Sequence, residues 1–220
     1  MTHKFIPYRQ KELTIEEQLT NSETFYQFLA KRRSVREFSS QPIDMKIIEN
    51  IIKAASTSPS GAHKQPWTFC VVSNLEIKKQ IRIAAETEEK ENYESRMSNR
   101  WKEDLLPFAT NWEKPFLEEA PYLIVVFKRV YELVEGEKQN NYYVNESVGI
   151  ATGMLITAIH NAGLVALTHT PSPMNFLTNV LTRPENERPF LLLPVGFALK
   201  NTQVPDLQRK TLEEIIVRYE

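Results

Sequence analysis

A single cysteine in 220 residues removes an internal disulfide from any account of this chain. Cys70 lies in the apolar run Trp67–Val72, where a thiol acts as a small, inert hydrophobe. Glycine is scarce too, and the six present form no Gly-x-Gly-x-x-Gly. No sequence sign of a Rossmann nicotinamide unit therefore exists. The four histidines, His3, His63, His160 and His169, are scattered and show no metal-ligand spacing. There is no nucleophile elbow. An excess of one charge is also lacking, with 27 Lys and Arg against 28 Asp and Glu. That balance argues against nucleic acid or an anionic membrane surface as a partner. No apolar stretch is long enough to span a bilayer, and the polar segment from Met1 to Thr20 lacks the apolar core of a signal peptide. A soluble, cytoplasmic protein is expected.

What is present is an ordinary core-forming composition, 41% apolar and 25% charged, enough for one large domain or two small ones. Residues 1–21 read as an extended arm. Thr20 and Glu23 have capping-box spacing and predict a first helix running to about Arg33, with Phe25, Phe28 and Leu29 on a buried face. Pro42 and Asp44 announce a second helix with Ile47, Ile48, Ile51, Ile52 and Ala55 inside; Pro59 stops it. Trp67–Val72 predicts a buried strand, and Asn74 predicts the cap of a third helix with Ile77, Ile81, Ala84 and Ala85 inside. The charged continuation through Arg100 reads either as a solvated helix face or as a mobile lid. Tyr122–Phe127 is an unbroken apolar run, hence a central strand.

A long helix is predicted over 141–161, with Val144, Val148, Ala151, Leu155 and Ile159 on one side. Gly149 and Gly153 there allow close backbone approach, possible across a dimer, and Gly163 ends the helix. Strands at 165–168 and 190–195, a short helix around 175–181, and a last helical turn capped by Thr211 and Glu214 complete the reading. Four strands and five to six helices predict an α+β chain, its sheet covered on both faces.

The stretch Lys31-Arg32-Arg33-Ser34-Val35-Arg36 concentrates arginine at a helix end. Taken alone it reads as a solvated basic terminus favoured by the helix dipole. The same residues also suit a phosphate, because the planar guanidinium donates two parallel hydrogen bonds and stays charged. Pro59-Ser60-Gly61-Ala62-His63-Lys64-Gln65-Pro66-Trp67 follows. Arginines closing one helix, then a helix ending in Pro-Ser-Gly with Gln-Pro-Trp before a strand, resemble the FMN-dependent nitroreductase superfamily. Glu89 and Tyr93, at i and i+4 on a helix, together with Thr110-Asn111-Trp112-Glu113-Lys114, resemble the iodotyrosine deiodinase branch of that superfamily.

The resemblance covers about residues 22–216 and implies a domain over 22–220, with a lid at about 86–114. It implies a nitroreductase-like fold, a central mixed sheet flanked by helices, in an intertwined homodimer with FMN at the subunit interface. Cofactor contacts implied are Arg32, Arg33, Ser34 and Arg36, with Arg33 toward the isoalloxazine edge, then Pro59, Ser60, Gly61, Thr168, Thr170 and Arg209. Thr170 would bond flavin N5 and support one-electron chemistry. The Ala62 amide would donate to the substrate phenolate, and Glu89, Tyr93 and Lys114 would hold the amino-acid zwitterion. Thr170 and Ala62 are thus the expected catalytic groups. His169, between Thr168 and Thr170, has no assigned role and reads as a surface or supporting histidine.

The implied activity is FMN-dependent reductive dehalogenation of 3-iodotyrosine and 3,5-diiodotyrosine to tyrosine and halide, with NAD(P)H or another reductant behind it. The alternatives are a general NAD(P)H-dependent nitro- or quinone-reductase and a non-catalytic binder of flavin or aromatic amino acids. No metal, nucleic acid or membrane is expected.

Overall fold

A computed structural model of the chain describes residues 3–220 in two units, 3–32 and 33–220. The first unit holds helix α1, Ile15–Ala30. Its capping box is Thr14 with Glu17, not Thr20 with Glu23: the Thr14 hydroxyl accepts from the Glu17 N–H at 3.2 Å, and the Glu17 carboxylate accepts from the Thr14 N–H at 2.8 Å. Both pairs have the right spacing; nothing between them stops helix propagation, so the upstream pair caps. The helix therefore runs through the expected arm boundary after residue 21. It ends at Lys31, which leaves Arg32 just past the last turn. The expected buried face is a correction: no residue of α1 is buried, and Phe25 is 54% exposed.

The second unit begins with the two-residue strand β1, Phe38–Ser39. Asp44 then caps α2, Met45–Ser56, which buries Ile48, Ile51 and Ala55; Ile47 faces solvent. Strand β2, Trp67–Val72, and Asn74-capped helix α3, Leu75–Glu91, follow as expected. The charged segment after α3 is helical: a wide π-type turn over Asn92–Arg96, then α4, Asn99–Leu105. Its Asn92 is buried and donates to the Ser172 carbonyl at 2.8 Å. The chain continues through α5, Phe116–Glu119, and β3, Tyr122–Arg129. A hairpin of β4, Tyr131–Val134, and β5, Glu137–Asn140, turns at Glu135-Gly136, both at positive φ. It had no sequence expectation: β4, Tyr-Glu-Leu-Val, buries none of its residues fully, and β5, Glu-Lys-Gln-Asn, is polar and exposed.

Helix α6 is Val144–Asn161; β6 is only Val165–Ala166; α7 is Phe176–Val180; and β7 is Glu187–Ala198, longer than its apolar centre. Thr211 and Glu214 do pair, at 2.7 Å, but close a turn rather than a helix.

The main sheet has the order β1-β7-β3-β2, with β6 also on β7, and these strand pairs are antiparallel. Its parallel component is the bridge Ser34–Ala166. Alternation along β3 explains its unbroken apolar run. Tyr122, Ile124 and Val126 face a core shared with α2 and α6, whereas Leu123, Val125 and Phe127 face one shared with α3, α5 and α7. Both faces are covered, so neither set of side chains is polar.

At the far end of β7, buried Glu187 accepts from Arg183 at 2.7 Å and from Thr68 at 2.6 Å. Arg129 stands 3.6 Å away. Burial pushes the Glu187 carboxyl up, and these donors and cations outweigh it, so its pKa ends lowered. Among the described residues no helix is long and apolar enough to cross a membrane.

Candidate active site

The covered sheet leaves one end open, between the last turns of α3, the helical segment after it, and the loop leaving β6. There a cavity of about 190 Å³ gathers Arg36, Glu89, Tyr93, Lys114, Thr168 and Thr170, residues scattered over the sequence. Each comes from a different local cause. Val35 is buried and its N–H donates to the Ala166 carbonyl, which fixes Arg36 beside β6. Glu89 ends the inner face of α3, below Ile81 and Ala85. Tyr93 sits in the wide turn, which reorients the chain so that its ring turns to the cavity.

Lys114 is 3% exposed, and its ammonium lies 3.4 Å from the Glu89 carboxylate. It also contacts the Thr110 hydroxyl at 3.4 Å and the Asn111 carbonyl, and stands 5.6 Å from the Tyr93 ring centroid. The Tyr93 hydroxyl donates to the Thr110 carbonyl at 3.2 Å. Burial raises the Glu89 pKa and lowers that of Lys114; their mutual attraction opposes both shifts and does not cancel them. Tyr93 is likewise raised, chiefly by burial. The pair is thus an ion pair held where charge is costly, and a ligand bearing both charges can replace each partner.

On the other side, the Arg36 guanidinium lies 5.4 Å over the Phe108 ring, half-buried, and burial lowers its pKa. No hydrogen bond or ion pair ties it to another described residue. A desolvated cation without a counter-ion suits an anionic ligand.

The remaining expected residues lie elsewhere. Arg32 belongs to the first unit. The Arg33 guanidinium donates to the Pro205 carbonyl, and Ser34 forms its bridge to Ala166. Arg209 is on the exposed C-terminal segment. The Pro59–Ala62 turn does not line the cavity; it packs on the start of α6. A Cβ on Gly61 would stand 2.9 Å from the Tyr142 carbonyl oxygen, and the Gly61 N–H donates to the Ser147 hydroxyl at 3.3 Å. Ala62, His63 and Gln65 all adopt positive φ, 48°, 56° and 48°. Strain concentrated in one short loop marks functional segments. The N–H groups of Gly61, His63, Lys64 and Gln65 are all engaged, and that of Ala62 has no partner among the described residues.

The apolar wall of the cavity is Met97, Trp101 and Leu105. Sequence reasoning noted Met97 and Trp101 in the lid segment without placing them in the site and missed Leu105, although the three are spaced four apart from the end of the wide turn through α4. It also missed Thr110, which fixes both Lys114 and Tyr93. The larger omission is His169, which is not at the surface but buried in the cavity wall. Alternation along β6 and the following loop could have signalled it.

A nitroreductase family model matches residues 29–197. An iodotyrosine deiodinase of Haliscomenobacter hydrossis is 61% identical over 216 residues, covering 98% of this chain and 97% of the relative. The chain belongs to the nitroreductase family, among the iodotyrosine deiodinases. The Hydra vulgaris iodotyrosine deiodinase is 48% identical, over 98% of this chain and 80% of its own length. A crystal structure of oxidized iodotyrosine deiodinase bound to FMN and 3-iodo-L-tyrosine superposes with a TM-score of 0.79 at 33% identity, covering 89% of this chain and 98% of that one.

Proposed function

We propose that this chain is an FMN-dependent enzyme that removes halogen reductively from halotyrosines such as 3-iodotyrosine and 3,5-diiodotyrosine. One observation carries the reading: the acid–base pair Glu89–Lys114 and Tyr93 share a cavity with Arg36, Thr168 and Thr170. The α-carbon of a free amino acid carries an ammonium and a carboxylate. Glu89 receives the first and Lys114 the second, so the buried pair is exchanged for two new ones without leaving either charge alone. Tyr93 bonds the same zwitterion. Trp101 and Leu105 cover the aromatic ring and exclude water, which strengthens the ion contacts.

FMN suits the other side of the cavity. Ser34, Arg36 and Arg209 would hold its phosphate and ribityl chain, Arg33 would lie toward its ring edge, Pro59, Ser60 and Gly61 would flank the ring, Thr168 would contact the cofactor, and Thr170 would address N5. Bound FMN supplies electrons one at a time. The C–I bond breaks, a C–H bond forms with uptake of two electrons and one proton, and tyrosine and iodide leave. NAD(P)H or another reductant restores the electrons. Thr170 holds a hydroxyl that can donate or accept as the redox state requires. The Ala62 N–H donates to the phenolate, a fixed dipole aimed at the anion.

The Pro59–Ala62 turn enters from a second copy in a homodimer, a reading supported by the apolar side chains this chain leaves exposed, among them Phe25, Ile150, Ile215 and Val217. Gly149 and Gly153 leave open space beside Ile150 for a close approach. The division into an arm, an FMN domain and a lid over 86–114, and a cytoplasmic setting, belong to the same proposal.

The decisive experiment is anaerobic incubation of the reduced, flavin-loaded protein with 3-iodotyrosine. One tyrosine and one iodide are expected for every two electrons consumed; intact iodotyrosine rejects the reading.

A further inference from the structure

The cavity wall contains a buried side chain to which the function proposed above gives no task. His169 stands between Thr168 and Thr170 and is 8% exposed. Its backbone is pinned to β7, its N–H donating to the Leu192 carbonyl at 2.9 Å and its carbonyl accepting from the Leu192 N–H at 3.1 Å. Its ring meets Phe116 edge-on, with centroids 5.4 Å apart and planes at 90°. Yet Nε2 is sealed from solvent and has no hydrogen-bond partner among the described residues. Such orphans are rare, because burial removes the water that would satisfy them. A partner that arrives with a ligand, as the wall rearranges, resolves the imbalance.

The surroundings select the chemistry of that partner. Burial, reinforced by Lys114 and Arg36, holds the imidazole neutral, its pKa lowered to about 3. A neutral ring keeps one N–H. With the N–H on Nε2 the ring has no acceptor among the described residues, and an anion drawn between the two cations supplies one. Lys114 is also the group that must move: its ammonium now rests on Glu89 and the Asn111 carbonyl.

We propose that His169 is a ligand-binding residue of this cavity, donating a hydrogen bond from Nε2 to an anionic oxygen drawn in by Arg36 and Lys114. The inference rests on the function proposed above, which offers two sources of that oxygen, the amino-acid carboxylate and the flavin.

Nitrogen NMR of protein labelled in its histidines separates them. Spectra are compared for flavin-depleted protein, flavin-loaded protein, and flavin-loaded protein saturated with 3-fluorotyrosine. The His169 Nε2–H resonance is expected to move downfield and become protected from exchange. Movement on loading assigns the oxygen to the flavin, and movement on adding fluorotyrosine assigns it to the amino acid.

Two variants accompany the spectra. His169→Phe keeps a neutral ring against Phe116 and removes the donor; His169→Gln keeps a donor at similar reach. The Phe variant is expected to weaken binding of the assigned ligand about tenfold, and the Gln variant to recover most of it. No movement in any arm, or equal losses in both variants, overturns the inference. If His169 is unmoved while fluorotyrosine binds and iodide is released, the inference fails and the dehalogenase reading stands. A protein that binds neither flavin nor fluorotyrosine overturns both.

Discussion

The Lys114 ammonium and the Glu89 carboxylate lie 3.4 Å apart, at 4% and 11% side-chain exposure, so the two groups that would receive a zwitterion neutralise one another in its absence. The receptor is thereby kept intact without leaving an isolated charge in a dry site. It also demands a ligand with both charges, since one that satisfies a single partner strands the other.

Removing either partner should therefore cost more than removing both. Glu89→Ala or Lys114→Ala should destabilise the fold by about 3 kcal/mol, because each strands a buried charge. The double variant Glu89→Gln with Lys114→Met should recover most of that loss in thermal unfolding. All three should raise the KM for 3-iodotyrosine by roughly a hundredfold, in line with losing a charge-assisted hydrogen bond, and leave nitroarene reduction nearly unchanged. Loss of both activities in parallel would point instead to a structural role for the pair.

The acid limb of ligand binding should report Glu89. Its carboxyl is raised above the ordinary value of 4.5, so it protonates, and releases the ligand ammonium, before an ordinary glutamate would as pH falls. Titrating 3-fluorotyrosine affinity against pH should show an inflection above 4.5 that Glu89→Gln lacks. His169 cannot produce it, because its pKa is about 3.

Gly61→Ala should damage binding without touching the cavity. The new Cβ meets the Tyr142 backbone carbonyl oxygen at 2.9 Å, and backbone cannot swing away. The loop must shift, which misdirects the neighbouring Ala62 N–H. Affinity for fluorotyrosine should fall about tenfold, the worth of one hydrogen bond to an anion, with flavin content as the control.

Glu187 should carry acid sensitivity of the fold. Its pKa is lowered, so its stabilisation is present above the unfolded value, near 4.5, and is lost as pH falls through the folded one. Glu187→Gln should lose about 2 kcal/mol at neutral pH, less than a fully buried pair because Arg183 and Arg129 are partly solvated. Unfolding midpoints should converge with those of the parent chain at low pH.

Local chemistry was readable where it depends on near neighbours. Asn74 as a cap, Trp67–Val72 as a strand, the stop after α2 and the buried stripe of α6 follow from propensity, capping and periodicity within a few residues. Glu89 and Tyr93 do line one cavity, but the wide turn after α3, not a continuous α-helical face, brings Tyr93 there. The choice between Thr14 and Thr20 was not readable, because both satisfy the same spacing and only helix propagation separates them. Nor was the β4–β5 hairpin, whose short strands pair with each other rather than the main sheet and lack a buried face and hence a period.

The order of the chain determined which groups exist: an arginine cluster, a strained Gly-Ala-His turn, an acid, a phenol and an amine. Tertiary structure decided their states. That Lys114 pairs with Glu89, that Arg36 is left without a counter-ion, and that His169 is buried with an orphaned nitrogen all depend on solvent exclusion and on contacts between segments distant along the chain. Charge and hydrogen bonding take their energetic weight from the dielectric around them, and only the folded surroundings set that.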